Sequence, residues 1–342
     1  MTTDSKMGLR QYVFGAMNAV GINAIVRRLK AADCRVFTLH GVSSATPQDL
    51  WTPLREQLDV VHFGDIVAAL SLRHRMVSMD EVTASLTGKA PPLKNAVALT
   101  FDDGYSNNFE EALPILEKYE VPATFYVTTG GAASRRPFWF DRLDFVLQEA
   151  AALGMTVEIG GREFTFDSSE RAKVATRYKE LRKHAKRTFA NEGEFVRSLN
   201  DLAERAEAQT GKALQAIFER DHWSRIVSPD ELAELASHPL VTIGSHTVNH
   251  VRLSCATDKD IVWELRESRS QLESWTGKPV THFAYPNGDF DQRSMQAVRD
   301  AGYNSADTSK PGINRPGVDP MSIDRLNIGS DCVTADLVAR AS

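Results

Sequence analysis

The sequence predicts an α/β fold, a barrel or a doubly wound sheet, on three observations. Short apolar runs of strand length alternate with segments of helical period from residue 35 to residue 328. These runs are near-continuously apolar, as strands covered on both faces are. Several of them break off into polar clusters, and that edge is where parallel α/β folds collect their active sites. The composition agrees: 342 residues, 42% hydrophobic and 25% charged, suit one large α/β domain or two medium ones and exclude a disordered, collagenous or coiled-coil chain. Lys and Arg number 40 against 45 Asp and Glu, so the net charge of −5 leaves no basic surplus for a dedicated nucleic-acid binder. Cys34, Cys255 and Cys332 stand far apart with no CxxC pair, which argues against a thiolate zinc site or a disulfide framework and fits a reducing compartment.

The chain opens on residues 9–30, LRQYVFGAMNAVGINAIVRRLK. Its apolar part, Val13 to Val26, is too short to span a bilayer and is interrupted by Asn18 and Asn23. Arg27, Arg28 and Lys30 follow it instead of a small-residue cleavage site, so no signal peptide is assigned. Residues 1–34 read as an amphipathic helix, packed on the domain or lying on a membrane surface. The expectation is a cytoplasmic protein with, at most, peripheral membrane contact through this helix.

RVFTLHGV (35–42) is a β-rich run ending in His40-Gly41, and residues 51–70 have helical spacing. AVALTF (96–101) reads as a doubly covered strand; residues 108–119 are helical in period despite Pro114, and ATFYVTT begins the next strand after Pro122. Residues 96–129 therefore form one βαβ unit. A helix is predicted over 139–150, a hairpin around Gly160-Gly161, and charged helices over 168–220, where residues 171–187 hold eight Lys and Arg against the single acid Glu180. That basic stretch reads first as a solvated helix face and second as a site for an acidic partner or a membrane. Ser228, Pro229 and Glu231 cap a helix, LVTIGSHTVNH is a strand running into a His-bearing loop, and 259–276 is helical. HFAYPNGDF is a strand and turn, 292–301 a helix, 303–306 a strand, and IDRLNI (323–328) a last strand.

Three polar clusters sit at strand ends. Asp102 and Asp103 are adjacent carboxylates after an apolar strand, an arrangement that raises one pKa unless a cation neutralises the pair. A metal would let one ligate and the other stay free as a base; a helix N-cap and turn would give the same letters. His246 and His250, four apart, suit a divalent metal such as Zn, Fe, Co or Ni. With the Asp pair they make a plausible three-ligand Asp-His-His site open to water and substrate. Tyr285-Pro286-Asn287-Gly288 is a turn signal that could also wall a pocket.

LTFDDG (99–104), PATFYV (122–127), GSHTVNH (244–250) and FAYPNG (283–288), in this order, resemble the polysaccharide deacetylases, also called carbohydrate esterase family 4 or NodB-homology domains. The resemblance covers roughly residues 35–330 and implies a distorted (β/α)7 barrel, here a catalytic domain over 35–335 with a mostly helical insertion at about 150–225. It implies Asp103, His246 and His250 as ligands of a divalent metal, zinc first, with cobalt, nickel, iron or manganese as alternatives. It implies Asp102 as the general base and the backbone N–H of Asn287 as an oxyanion donor, beside Tyr285 and Pro286. The implied activity is hydrolysis of N-acetyl groups on an N-acetylglucosamine-type poly- or oligosaccharide or a lipid-linked precursor. Another amide hydrolase on the same scaffold, or a non-catalytic sugar-binding relic, is the alternative.

Two departures stand out. Ala284 stands where the better-known branch has an Arg that pairs with the base, and no histidine follows His282 to serve as general acid. The chain is more similar to a second branch, carrying His40-Gly41, Trp139-Phe140-Asp141-Arg142-Leu143 and the Tyr285-Pro286-Asn287-Gly288 turn. On that basis Arg142 or Arg325 is expected to supply the cation beside Asp102, His40 the acid, and Trp139 a face for the sugar ring. The competing readings are structural: Arg142 paired to Asp141 or a neighbouring helix, His40 as a hydrogen-bonded core histidine, and Trp139 as core.

Overall fold

The computed structural model describes residues 33–44, 51–189 and 191–341. The expected N-terminal helix and its membrane contact lie outside the described residues, apart from Asp33 and Cys34. Strand β1 (Cys34–Leu39) is followed by helix α1 (Val60–Ser71), strand β2 (Arg75–Met76), helix α2 (Met79–Leu86) and strand β3 (Ala96–Phe101). A π-helical turn at Asn108–Ala112 runs into α3 (Leu113–Lys118) and then β4 (Ala123–Val127). Helices α4 (Thr129–Ser134) and α5 (Trp139–Ala152), the hairpin β5 (Thr156–Ile159) and β6 (Arg162–Thr165), and helices α6 (Arg171–Thr188) and α7 (Glu192–Thr210) follow. Helix α8 (Pro229–Leu235), β7 (Val241–Ser245), α9 (Asp258–Thr276), β8 (His282–Ala284), α10 (Gln292–Asp300), β9 (Ser305–Asp307), β10 (Arg325–Asn327) and α11 (Thr334–Ala341) complete the order.

Seven parallel strands stand in the order β10-β1-β3-β4-β7-β8-β9, and β2 pairs the start of β3. A parallel bridge from Asp307 to Ile323, just before β10, brings the two ends of this row together. The sheet is thus nearly closed into a barrel, as the sequence predicted. β1, β3 and β4 are buried along their whole lengths, which is why they read as near-continuous apolar runs. Phe101 and Phe125 stack at 4.8 Å, and Phe63 and Phe109 pack edge-on and tilted against them, tying α1 and the π-turn to the barrel. Among the described residues no helix is long and apolar enough to cross a membrane.

The expected helix over 51–70 is shorter. It starts at Val60 because Asp59 caps it, accepting from Val61 N and His62 N. Residues 51–58 form a loop, held by Trp51 Nε1 donating to Asp221 at 3.0 Å and by Leu54 N donating to Asp144 at 2.8 Å. Pro114 is accommodated because α3 begins at Leu113, putting the proline in the first turn, where no N–H is needed. Ser228 and Glu231 close the predicted capping box. The insertion has its own apolar core, in which Leu143, Val146 and Leu147 of α5 meet Phe164, Tyr178, Leu181, Phe195 and Leu199. α11 packs Leu337, Val338 and Ala341 onto the barrel core.

Candidate active site

All the polar clusters meet at the carboxyl edge of the barrel. Each ladder extends one residue past its strand: Asp102 N donates to Leu39 O, His246 N to Val127 O, Thr128 N to Asp103 O and Tyr285 N to Asp307 O. These bonds fix where the chain leaves the sheet and so where each side chain begins. Asp103, Thr247, His250 and Asn287 all have φ between 53° and 79°, a region that non-glycine residues seldom occupy. Such strain, gathered at one mouth, is held by its surroundings. Glu264 on α9 accepts Val248 N at 2.7 Å, Asn249 N at 3.0 Å and Asn249 Nδ2 at 2.8 Å, clamping the His loop from outside. From the other side Thr129 N and Gly130 N donate to Thr247 O and Val248 O. A Cβ on Gly130 would stand 2.6 Å from Val248 O, so only glycine permits this approach.

The result is one cluster. Asp103 Oδ1 lies 3.3 Å from His250 Nε2 and 3.7 Å from His246 Nε2, and one ligand atom from each of the three lies within 4.8 Å of the others. Asp103 Oδ1 is buried and has no hydrogen-bond partner, a costly state that a bound cation would relieve. His246 Nδ1 donates to Ala284 O at 2.8 Å, which leaves Nε2 as the lone-pair nitrogen facing Asp103. Burial, against the pull of Asp102, lowers His246 to about 4, so the ring stays neutral, as a metal ligand must. The donor set of one carboxylate and two imidazoles fits a divalent transition metal with open positions. Phe140 lies 5.3 Å from the His250 ring and walls the cluster on one side.

Arg325 provides the cation beside Asp102. Its Nη1 and Nη2 meet the two carboxylate oxygens at 2.7 Å each, Nη1 also donates to Thr100 Oγ1 at 3.0 Å, and Nε donates to Thr308 O at 2.8 Å. Burial pushes against the Asp102 charge, but Arg325 outweighs it and holds the carboxyl below the usual range. His40 ends β1 at the same edge. Burial, then Arg55, disfavours its charged form, with Asp103 and Asp102 acting the other way.

The structure corrects three expectations. Arg142 is not beside Asp102: its Nε donates to Glu207 at 2.8 Å, tying α5 to α7 inside the insertion, which is the structural alternative. Trp139 is partly buried against the insertion core, with Arg182 over its ring at 5.4 Å and Phe195 edge-on at 5.5 Å, so the ring is used in packing, which is the structural alternative. Tyr285 is fully buried and donates its hydroxyl to Met321 O at 3.1 Å; Pro286 is buried with it, and only Asn287 of that turn is exposed.

Five further residues line or brace the site. Arg55 Nη2 reaches Asp103 Oδ2 at 3.4 Å and Tyr105 OH at 3.5 Å. Tyr105 OH donates to the buried Asp141 at 2.8 Å. Tyr126 OH donates to Asp307 at 2.7 Å, and burial pushes Asp307 up to about 6. Of these, Tyr126 lay inside PATFYV and Asp141 inside the Trp139–Leu143 motif; Arg55, Tyr105 and Asp307 lay in none. The HG pair has a packing reason as well: a side chain on Gly41 would collide with Gln57, which is bonded to Asn107 and Trp223 O.

Residues 89–306 match the polysaccharide deacetylase family profile. The chain belongs to the polysaccharide deacetylase family. It is 19% identical over 239 residues to YxkH of Bacillus subtilis, which bears a polysaccharide deacetylase name, covering 70% of this chain. The chain spans about half the length of that curated relative, 53%. Among solved structures, IcaB from Ammonifex degensii shares the fold at TM-score 0.59 and 16% identity, over 91% of this chain and 98% of that one. The Streptococcus pyogenes deacetylase PplD, in complex with acetate, does so at TM-score 0.54 and 17% identity, over 92% and 100%.

Proposed function

We propose that this protein hydrolyses the acetamide of an N-acetylated sugar with a divalent metal held by Asp103, His246 and His250. The observation that carries the reading is the buried, unpartnered Asp103 Oδ1 facing two histidine nitrogens, next to a second carboxylate that an arginine keeps ionised. Bound there, the ion supplies Lewis acidity, polarising the acetamide carbonyl and acidifying a water.

The remaining steps belong to the chain. Asp102, anchored by Arg325, accepts the proton that water loses as it adds to the acetamide carbon. The backbone N–H of Asn287, on the exposed left-handed turn after β8, is the candidate donor to the oxyanion. His40 passes a proton to the sugar nitrogen as the carbon–nitrogen bond breaks, leaving acetate and a free amine. Phe140 shields the cluster from bulk water on its flank.

Acetate release from N-acetylglucosamine oligomers and lipid-linked N-acetyl sugars tests this. Release by the metal-loaded wild type that is lost in Asp102→Asn and in chelator is the expected result. No release from any member of the panel by metal-loaded protein would instead point to another amide or to a binding role.

A further inference from the structure

The mouth of this site presents an exposed arginine, and basic side chains without ion-pair partners among the described residues continue onto the insertion. Arg325 and Asp102 cancel as a buried pair. Asp103 faces both Arg55 and the position a divalent cation would take. Arg55 itself is not buried structure: its side chain is 56% exposed, its two polar contacts are long and both come from Nη2, and its guanidinium lies 5.6 Å over the Phe140 ring. Nε and Nη1 donate to nothing among the described residues, so most of the fork of donors is left open. Yet its backbone is firmly placed. Leu54 N is bound by Asp144, and Thr52 O accepts from Gln148 Nε2 and from Arg171 Nη1 at 3.0 Å each, all from the insertion. A guanidinium on a firmly held loop, with donors left free by its one long contact to Asp103, can take a second anion beside the cation site.

The second observation is on α6. Val174, Tyr178, Leu181 and Ala185 bury one face in the insertion core. Lys179, Lys183, Lys186 and Arg187 stand on the opposite face, all exposed and none with an ion-pair partner among the described residues. Other basic residues of the helix are accounted for: Lys173 pairs with Glu170, Arg177 with Glu180, Arg171 holds the Arg55 loop, and Arg182 covers Trp139. The four free cations span about 12 Å along the helix. Their ridge ends near the His loop, because α6 stops at Thr188 and α7 begins at Glu192. Arg252 follows His250 closely and is tied to Glu192 at 2.8 Å, and Asp289 follows the Asn287 turn.

We infer that the substrate is an anionic glycan, its carboxylates or phosphodiesters flanking the N-acetyl sugar, with Arg55 gripping the charge nearest the reacting residue and the α6 ridge holding the chain beyond it. This deepens the deacetylase reading and rests on it for the identity of the bond that is cut. A bidentate arginine suits a fixed anion at the mouth, while a row of lysines suits a repeating charge along a flexible chain.

Calorimetric titration of the metal-loaded full chain with decagalacturonate, which has no acetamide to hydrolyse, and with neutral chitohexaose tests the inference. The expected result is that decagalacturonate binds more tightly, that its affinity falls steeply with salt, and that Lys183→Glu/Lys186→Glu lowers the ratio of anionic to neutral affinity at least tenfold. Arg55→Ala lowers the same ratio several-fold. These positions are exposed, and far-ultraviolet circular dichroism checks that the variants stay folded. If decagalacturonate binds no better than chitohexaose, or if charge reversal leaves the ratio unchanged, the inference is wrong. It is equally overturned if the ridge captures phosphatidylglycerol vesicles while decagalacturonate is ignored, since the ridge is then a membrane face. Ridge-dependent decagalacturonate binding by a protein that deacetylates nothing would sink the deacetylase reading and leave the anion site standing.

Discussion

Arg325 grips Asp102 through two parallel contacts of 2.7 Å, although the two residues lie 223 positions apart in the chain. The sheet explains the reach. β10 pairs β1 with Arg325 opposite Val36, and β1 pairs β3 so that Leu39 stands beside Phe101. One strand thus separates the guanidinium from the carboxylate, and the barrel's near-closure delivers from its last strand the cation that Ala284 cannot supply. Both groups are buried, so each is tolerable only in the presence of the other.

Arg325→Ala should therefore strand a buried carboxylate, costing about 3–5 kcal/mol and lowering kcat by at least a hundredfold. Arg325→Lys should recover part of the stability and little of the rate, because an ammonium cannot match the two-pronged geometry. Thermal midpoints and initial rates read both. Wild-type rates in Arg325→Lys would show that the pair is structural only. Arg142→Ala is the control: its partner is Glu207, so it should lower the midpoint and keep kcat.

Gly130→Ala tests whether the His loop is held by backbone approach. The added Cβ would meet Val248 O at 2.6 Å, pushing outward the segment that carries His246 and His250. Zinc affinity, measured by competition with a chromophoric chelator, should fall at least tenfold while the fold persists. Unchanged affinity would mean that the Glu264 clamp alone sets the loop.

Much of this was legible in the letters, and the reasons differ by element. The doubly buried strands announced themselves because β1, β3 and β4 are almost wholly apolar, with Arg35 the one charged residue among them. The Asp-Asp and His-His pairs were visible because they end strands within a few residues of each other. Arg325 was one of two candidates, and only strand order could choose, since Arg142 sits in the more suggestive motif but on a helix turned toward the insertion. Arg55 and Glu264 were silent: a loop arginine and a helix glutamate look like ordinary surface residues until the fold carries one to Asp103 and the other beneath the His loop. The helix over 51–59 failed because spacing alone cannot see that Asp59 is a cap.

His40→Gln addresses the acid. His40 stands outside the Asp103 cluster, at the end of β1 next to the β3 edge that carries Asp102. Removing a general acid typically costs a hundredfold or more in rate, so kcat should fall by about that factor with KM and zinc affinity little changed. Full deacetylation by His40→Gln would return His40 to the core-histidine reading.

Asp144→Asn tests the buried acids beneath the Arg55 loop. Asp144 accepts Leu54 N and Gln148 Nε2 at 2.8 Å each, and burial pushes it up to about 6, against an unfolded value of about 3.9. Between those values the folded chain holds the proton while the unfolded chain has released it. Stability from this group is therefore present at low pH, declines as pH rises through that window, and is lost above about 6. Asparagine does not titrate, and the cost of its lost acceptor is the same at every pH. The midpoint of the variant relative to wild type should thus rise between pH 4 and pH 7, by the equivalent of roughly 2–3 kcal/mol. A difference that stays flat across that range would mean that Asp144 is already ionised in the folded protein, with the Leu54 and Gln148 donors outweighing its burial.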